Sequence, residues 1–173
     1  MAQNLTFLAL IQLVLSIFIG VFFMWLTFKL FSNSFKKKCQ LEEMNVAFAI
    51  IMAAILFSTG YILSGTLSPL LNTLRIISRN NPETSVLLID SSRYVGEFLL
   101  IGFLVALLVN YISISLFIAL TPESDEFKEI SKNEYKYSLI IASILIVMAL
   151  FAREAYISLL DSLVPLPALP RIF

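Results

Sequence analysis

The chain has 173 residues, 59% of them hydrophobic and only 14% charged, with a mean hydropathy of +0.91. A soluble domain of this length carries roughly 25% charge, so the composition is that of a membrane protein, and twelve Lys and Arg against twelve Asp and Glu point to no nucleic-acid partner. The one cysteine excludes an intrachain disulfide, and the lack of histidine removes the commonest general base and metal ligand.

Four apolar stretches follow in order, over residues 7–28, 45–71, 97–120 and 137–160. Each is long enough to cross a hydrocarbon layer of roughly 30 Å as a helix. The N-terminus has no Lys or Arg before Phe7, so it reads as a retained first span rather than a cleaved signal. Trp25 and Lys29 close that span as interfacial residues. A loop to about Met44 follows, basic at Lys36-Lys37-Lys38 and acidic at Glu42-Glu43.

The second stretch exceeds the thickness it must cross, and Pro69 marks its expected bend or end. Asn80-Asn81-Pro82 is a turn signal, and Val86-Leu87-Leu88-Ile89 is too short to span and is placed at the interface. Thr121-Pro122-Glu123 stops the third span. Residues 124–136, charged with both signs, read as a helix before the fourth span. The uncharged run of that span stops at Ala152, where Arg153-Glu154 interrupts it, and a proline-rich tail follows from Val164.

Lysines concentrate in the first and third connections, at positions 29, 36, 37, 38, 128, 132 and 136. Arginines 75, 79, 93, 153 and 171 lie on the other side. The positive-inside rule puts the first and third connections in the cytoplasm and both termini outside.

The four spans divide into two hairpins, residues 1–80 and 81–173, each enclosing a charged loop that ends on an asparagine, Asn45 or Asn133. The segment Leu41-Glu42-Glu43-Met44-Asn45-Val46-Ala47-Phe48-Ala49-Ile50, with Gly60 and Gly65 after it, resembles the bacterial membrane family catalogued as domain of unknown function 350. In that family an acidic stretch precedes an Asn-Val-Ala-x-Ala opening in each of two tandem repeats. The second copy here keeps Asn133 but continues Glu-Tyr-Lys-Tyr, which puts any shared role of the two asparagines in doubt. The resemblance implies an inner-membrane protein working with envelope-stress or membrane-maintenance partners, and it implies no reaction.

Small and polar residues recur four apart on three spans: Gln12, Ser16 and Gly20; Gly60, Ser64 and Ser68; Gly102, Ala106 and Asn110. Each set shares a helix face, which reads as helix packing, or as a subunit interface or polar track. Asn110 lies deep in its span and must meet another helix or a hydrated cavity. Arg153 and Glu154, as sequence neighbours, are expected to point apart and not to neutralise each other, with Glu97 as a partner for Arg153 unless Arg93 takes it at i,i+4. The pair reads either as interfacial charge or as a gating or oligomer contact. Lys36, Lys37 and Lys38 read as a topology signal or as a contact for anionic lipid or a partner. Cys39 beside them reads as incidental. Asn45 and Asn133 read as caps of their own helices, or as a partner-binding vestibule.

The sequence therefore predicts an all-α membrane protein with four transmembrane helices as two tandem parallel hairpins. It needs no cofactor or metal, and without a nucleophile–base pair or phosphate loop it is not expected to be an enzyme. Its expected partners are the lipid bilayer, copies of itself, and other membrane or cytoplasmic proteins. The leading expectation is a subunit of a membrane assembly presenting two charged loops. The alternative is a small oligomeric channel or transporter with Arg153, Glu154 or Glu97 at its mouth.

Overall fold

A computed structural model describes the backbone of residues 2–41, 43–80, 84–121 and 126–164, and side chains within 17–41, 43–73, 76, 93–121 and 127–164. Among the described residues every element is a helix. They are α1 (Ala2–Cys39), α2 (Val46–Ser64), α3 (Leu67–Asn80), α4 (Thr84–Leu120), α5 (Glu126–Ser131) and α6 (Tyr135–Leu163). Four segments are long and apolar enough to cross a membrane: Ile17–Cys39, Val46–Thr73, Arg93–Leu120 and Tyr135–Leu163. The protein is an all-α, multi-pass membrane protein.

The boundaries differ from the sequence expectation in three places. The first is α1, which runs on through Lys36, Lys37 and Lys38 as its last turn, where cationic side chains complement the carbonyl end of the helix. What read as a loop from Lys29 is therefore mostly helix. The second is the break in the second stretch, which falls at Gly65-Thr66 rather than at Pro69. Pro69 sits in the first turn of α3, where its missing N–H has no helical partner to lose. A side chain at Gly65 would crowd the Ile62 carbonyl and Ile157, each at 3.1 Å from its Cβ. Third, Val86–Ile89 is not a separate interfacial piece but part of α4. Helix α6 carries Arg153-Glu154 within it and continues to Leu163. The expected turn at Pro82 and stop at Pro122 fall outside the described residues, although α3 ends at Asn80 and α4 at Leu120, immediately before them.

The predicted helix over residues 124–136 is also broken. After α5 the chain turns at Lys132-Asn133-Glu134 before α6 begins. The turn is a left-handed cap. Asn133 has φ 66°, and the N–H groups of Asn133 and Glu134 bond back to the carbonyls of Ile130 and Glu129. The same device ends α1, where Gln40 has φ 50° and the Leu41 N–H bonds to the Lys36 carbonyl at 3.1 Å.

Helix α2 is the centre of the molecule. It packs on α6, α4, α1 and α5, and Ala47, Phe48, Ile51, Ile55 and Ile62 are fully buried along it. Two apolar clusters result. One, at the end that carries the lysines, joins Phe35, Phe48, Ile51, Ile55, Phe117, Ile130 and Leu145. The other, at the opposite end, joins Ile62, Phe98, Ala106, Ala149, Tyr156 and Leu160. Helix α1 is less enclosed than α2. Its Ile17, Phe18, Val21, Phe22 and Trp25 are exposed.

Candidate functional site

Three polar constellations interrupt the apolar packing, one at each end and one between the clusters. At the lysine end Asn45 and Asn133 come together, but not as equivalent residues. Asn45 is the N-cap of α2: its backbone is extended and its Oδ1 accepts from the Phe48 N–H at 2.8 Å. Its Nδ2 donates to the Ile130 carbonyl at 2.7 Å, at the end of α5. Asn133 does not cap its own helix. Residue Glu134 precedes α6 and makes no side-chain cap, while the Asn133 Oδ1 accepts from the Ala47 N–H at 3.1 Å. Both asparagines thus serve the start of α2. By backbone geometry the counterpart of Asn133 is Gln40, the other left-handed helix end. Ala47 is fully buried beneath the junction and Ala49 is exposed.

Between the clusters lies a polar layer. Asn110 of α4 is fully buried and donates from Nδ2 to Thr59 Oγ1 of α2 at 3.0 Å. Thr59 in turn donates to its own Ile55 carbonyl at 2.9 Å. Buried beside it, Ser58 Oγ and Asn110 Oδ1 have no protein partner. The sequence placed Asn110 against another helix or a cavity, and it meets a helix. It did not single out Thr59.

At the opposite end Tyr156 of α6 is the organising residue, and the sequence reading missed it. Its hydroxyl donates to the Phe98 carbonyl at 2.9 Å and accepts from Thr66 Oγ1 at 2.8 Å. The hydroxyl sits against Gly102, where any Cβ would collide with it and with the ring. Ala106, one turn further along α4, is fully buried. Gly60 gives room to the Met24 methyl of α1.

The remaining small residues do not share this packing. Gly20 has open space where a Cβ would be, and Ser64 and Ser68 are exposed. The side chains of Gln12 and Ser16 lie outside the described residues.

One electrostatic expectation is corrected, and of the two partners weighed for Glu97 the one found is Arg93. Arg153 and Glu154 do meet: Nη1 lies 2.9 Å from Oε1, because the long guanidinium arm folds back where the Cβ directions diverge. Arg153 also lies over the Tyr61 ring, 5.1 Å from its centroid, and reaches Ser64 Oγ at 3.4 Å. Glu97 is not its partner; it pairs with Arg93 at 2.8 Å, one turn back on α4. Lys38 Nζ sits 5.4 Å from the Phe127 ring centroid. Cys39 is buried in the lysine-end cluster. Outside the spans, the bonded Lys132 ammonium holds the Glu129 carboxyl below its ordinary range; burial opposes this, and the charges of Lys132, Lys136 and Lys128 reinforce it.

Among the described residues no group of three or more Cys, Asp or Glu is placed to hold a metal ion. Asn45, Asn133, Asn110 and Tyr156 make hydrogen bonds between elements, the first two of them to backbone groups at helix ends. In comparisons with known proteins, a family model described as Domain of Unknown Function (DUF350) matches residues 1–156. No curated protein and no solved structure matches the chain.

Proposed function

We propose that this chain, which belongs to the Domain of Unknown Function 350 family, is a non-enzymatic subunit of an oligomeric or multi-protein membrane assembly. One observation carries the reading: two polar side chains buried inside the spans, Asn110 and Tyr156, face other helices of the same chain. Asn110 is fully buried against Thr59, and Tyr156 is buried between Thr66 and Phe98. Polar groups committed to internal contacts stiffen a scaffold and line no continuous path. Two charged pairs of the spans are met locally, Arg153 with Glu154 and Arg93 with Glu97.

In this reading the protein lies in the bacterial inner membrane. The connections at the lysine end face the cytoplasm and present Lys36, Lys37, Lys38 and the α5 segment to a partner in envelope stress or membrane maintenance. The termini lie outside. The exposed α1 face, with Ile17, Phe18, Val21 and Phe22, is the surface for copies of the chain. The second reading, an oligomeric channel, draws on the partnerless Ser58 Oγ and Asn110 Oδ1 at the centre.

Reconstitution of the purified chain in liposomes separates the two. A scaffold leaves an imposed ion gradient intact and runs above monomer mass in native electrophoresis. Rapid dissipation of the gradient, abolished by Asn110→Leu, overturns the scaffold reading in favour of the channel.

A further inference from the structure

A groove runs between α1 and α4 at the lysine end, with a volume of about 400 Å³, within the range of small-molecule sites. Leu30, Phe31 and Phe35 form one wall, and Leu107, Ile114 and Ile118 form the other. Toward the middle of the spans the two helices close on each other where Phe23 meets Phe103, ring centroids 5.0 Å apart. Toward the membrane surface Phe127 of α5 lies against Phe35. Lys38 also lines the groove, with its ammonium over the Phe127 ring.

We propose that this groove holds one acyl chain of an anionic phospholipid whose phosphate is met by Lys38. Three features fit that occupant. The groove is mostly apolar, with Ser34, Tyr111 and Ser115 among its lining, and lies between two membrane-spanning segments, so its natural content is hydrocarbon rather than water. A basic group stands only at the end nearest the surface, where a headgroup would be. Lys36 and Lys37 flank Lys38 in the same helical turn, so the local charge complements a phosphate and repels a cationic ligand. A zwitterionic lipid supplies the same chain but a weaker headgroup attraction. A second copy of this chain would have to bring an acidic group to the same place.

The test uses the full chain in nanodiscs made from equal parts of phosphatidylglycerol and phosphatidylcholine with identical acyl chains. Lipids retained after transfer to detergent are counted by native mass spectrometry. The wild type is expected to retain phosphatidylglycerol over phosphatidylcholine by about fivefold, the factor for one Lys at an anionic surface. Lys38→Gln is expected to lower that ratio to near one, while Lys37→Gln keeps most of it. Ser115→Trp, which fills the groove from α4, is expected to abolish retention of either lipid while the melting temperature stays near wild type.

Equal retention of the two lipids by the wild type overturns the proposal. So does an equal loss in Lys37→Gln and Lys38→Gln, which assigns the preference to the basic surface as a whole. Undiminished retention in Ser115→Trp overturns it as well, as does a lipid-free dimer that Ser115→Trp dissociates, since a second copy then occupies the groove. None of these outcomes depends on whether the protein conducts ions, so the proposal and the scaffold reading fail separately.

Discussion

The two ends of the bundle are held by opposite means. At the lysine end, two carboxamides reach across the helices to backbone groups: Asn45 to the end of α5, Asn133 to the start of α2. At the other end a single phenol is slotted into a space that only a glycine leaves, and bonds to α4 and to the break between α2 and α3. The first arrangement supplies partners to helix termini, which near the membrane surface have water as an alternative. The second is enclosed among buried side chains, where a polar atom left alone has no such alternative. Steric change should therefore be worst at the tyrosine end, and loss of a cap worst at the lysine end.

Four substitutions or conditions test that contrast, in order of expected size. Gly102→Val drives a branched side chain into Tyr156 and is expected to lower stability by about 3 kcal/mol, read as a lower midpoint in thermal or denaturant unfolding in micelles. Tyr156→Phe on the same background should restore part of this loss; full additivity of the two would show that Gly102 does not act through the hydroxyl. Asn45→Ala removes the cap of α2 and the donor to Ile130 together, for an expected loss of about 2 kcal/mol, with faster amide hydrogen exchange confined to the first turn of α2. Tyr156→Phe alone leaves the Phe98 carbonyl and Thr66 without this partner, and about 1.5 kcal/mol is expected.

The smallest effect is expected at Glu129. Its carboxyl is held below its ordinary range by Lys132, so the pair's contribution is fully present above the ordinary carboxylate pKa. It is lost as the pH falls through the lowered value. Glu129→Gln should flatten that acid limb of the unfolding profile slightly, and an unchanged limb would show that the pair is inert.

The sequence made the spans legible because hydropathy over a long run depends on composition alone: α1, α4 and α6 each contain one of the four stretches, and the remaining one runs across α2 into α3. Tertiary detail was less legible. Pro69 reads as the break and Gly65-Thr66 is not singled out as one, yet a proline in the first turn is compatible with a helix, and the crowding by Ile157 that bears on Gly65 comes from a helix about ninety residues away. Tyr156 is one tyrosine in an apolar run, and nothing local says that its hydroxyl will meet a carbonyl on α4. Gly102 was noticed for its spacing, but its particular neighbour could not be read from that spacing. Arg153 and Glu154 were misjudged because backbone direction says little about where a long side chain ends. Asn133 was matched to Asn45 by letter, whereas its positive φ aligns it with Gln40; a left-handed residue is not visible in a string.

The junction at the start of α2 also has a consequence for biosynthesis. Asn45 supplies the Phe48 N–H with a partner three residues away, as soon as that turn forms. The Ala47 N–H takes its partner from Asn133, 86 residues further along the chain. That contact forms only after two more spans have been made and threaded, and only if they enter with the same polarity as the first two. A second half inserted upside down would carry Asn133 to the far face and leave both Ala47 and the Asn45 amide without these partners. The pair of asparagines thus satisfies the start of α2 only when both halves of the chain share one orientation.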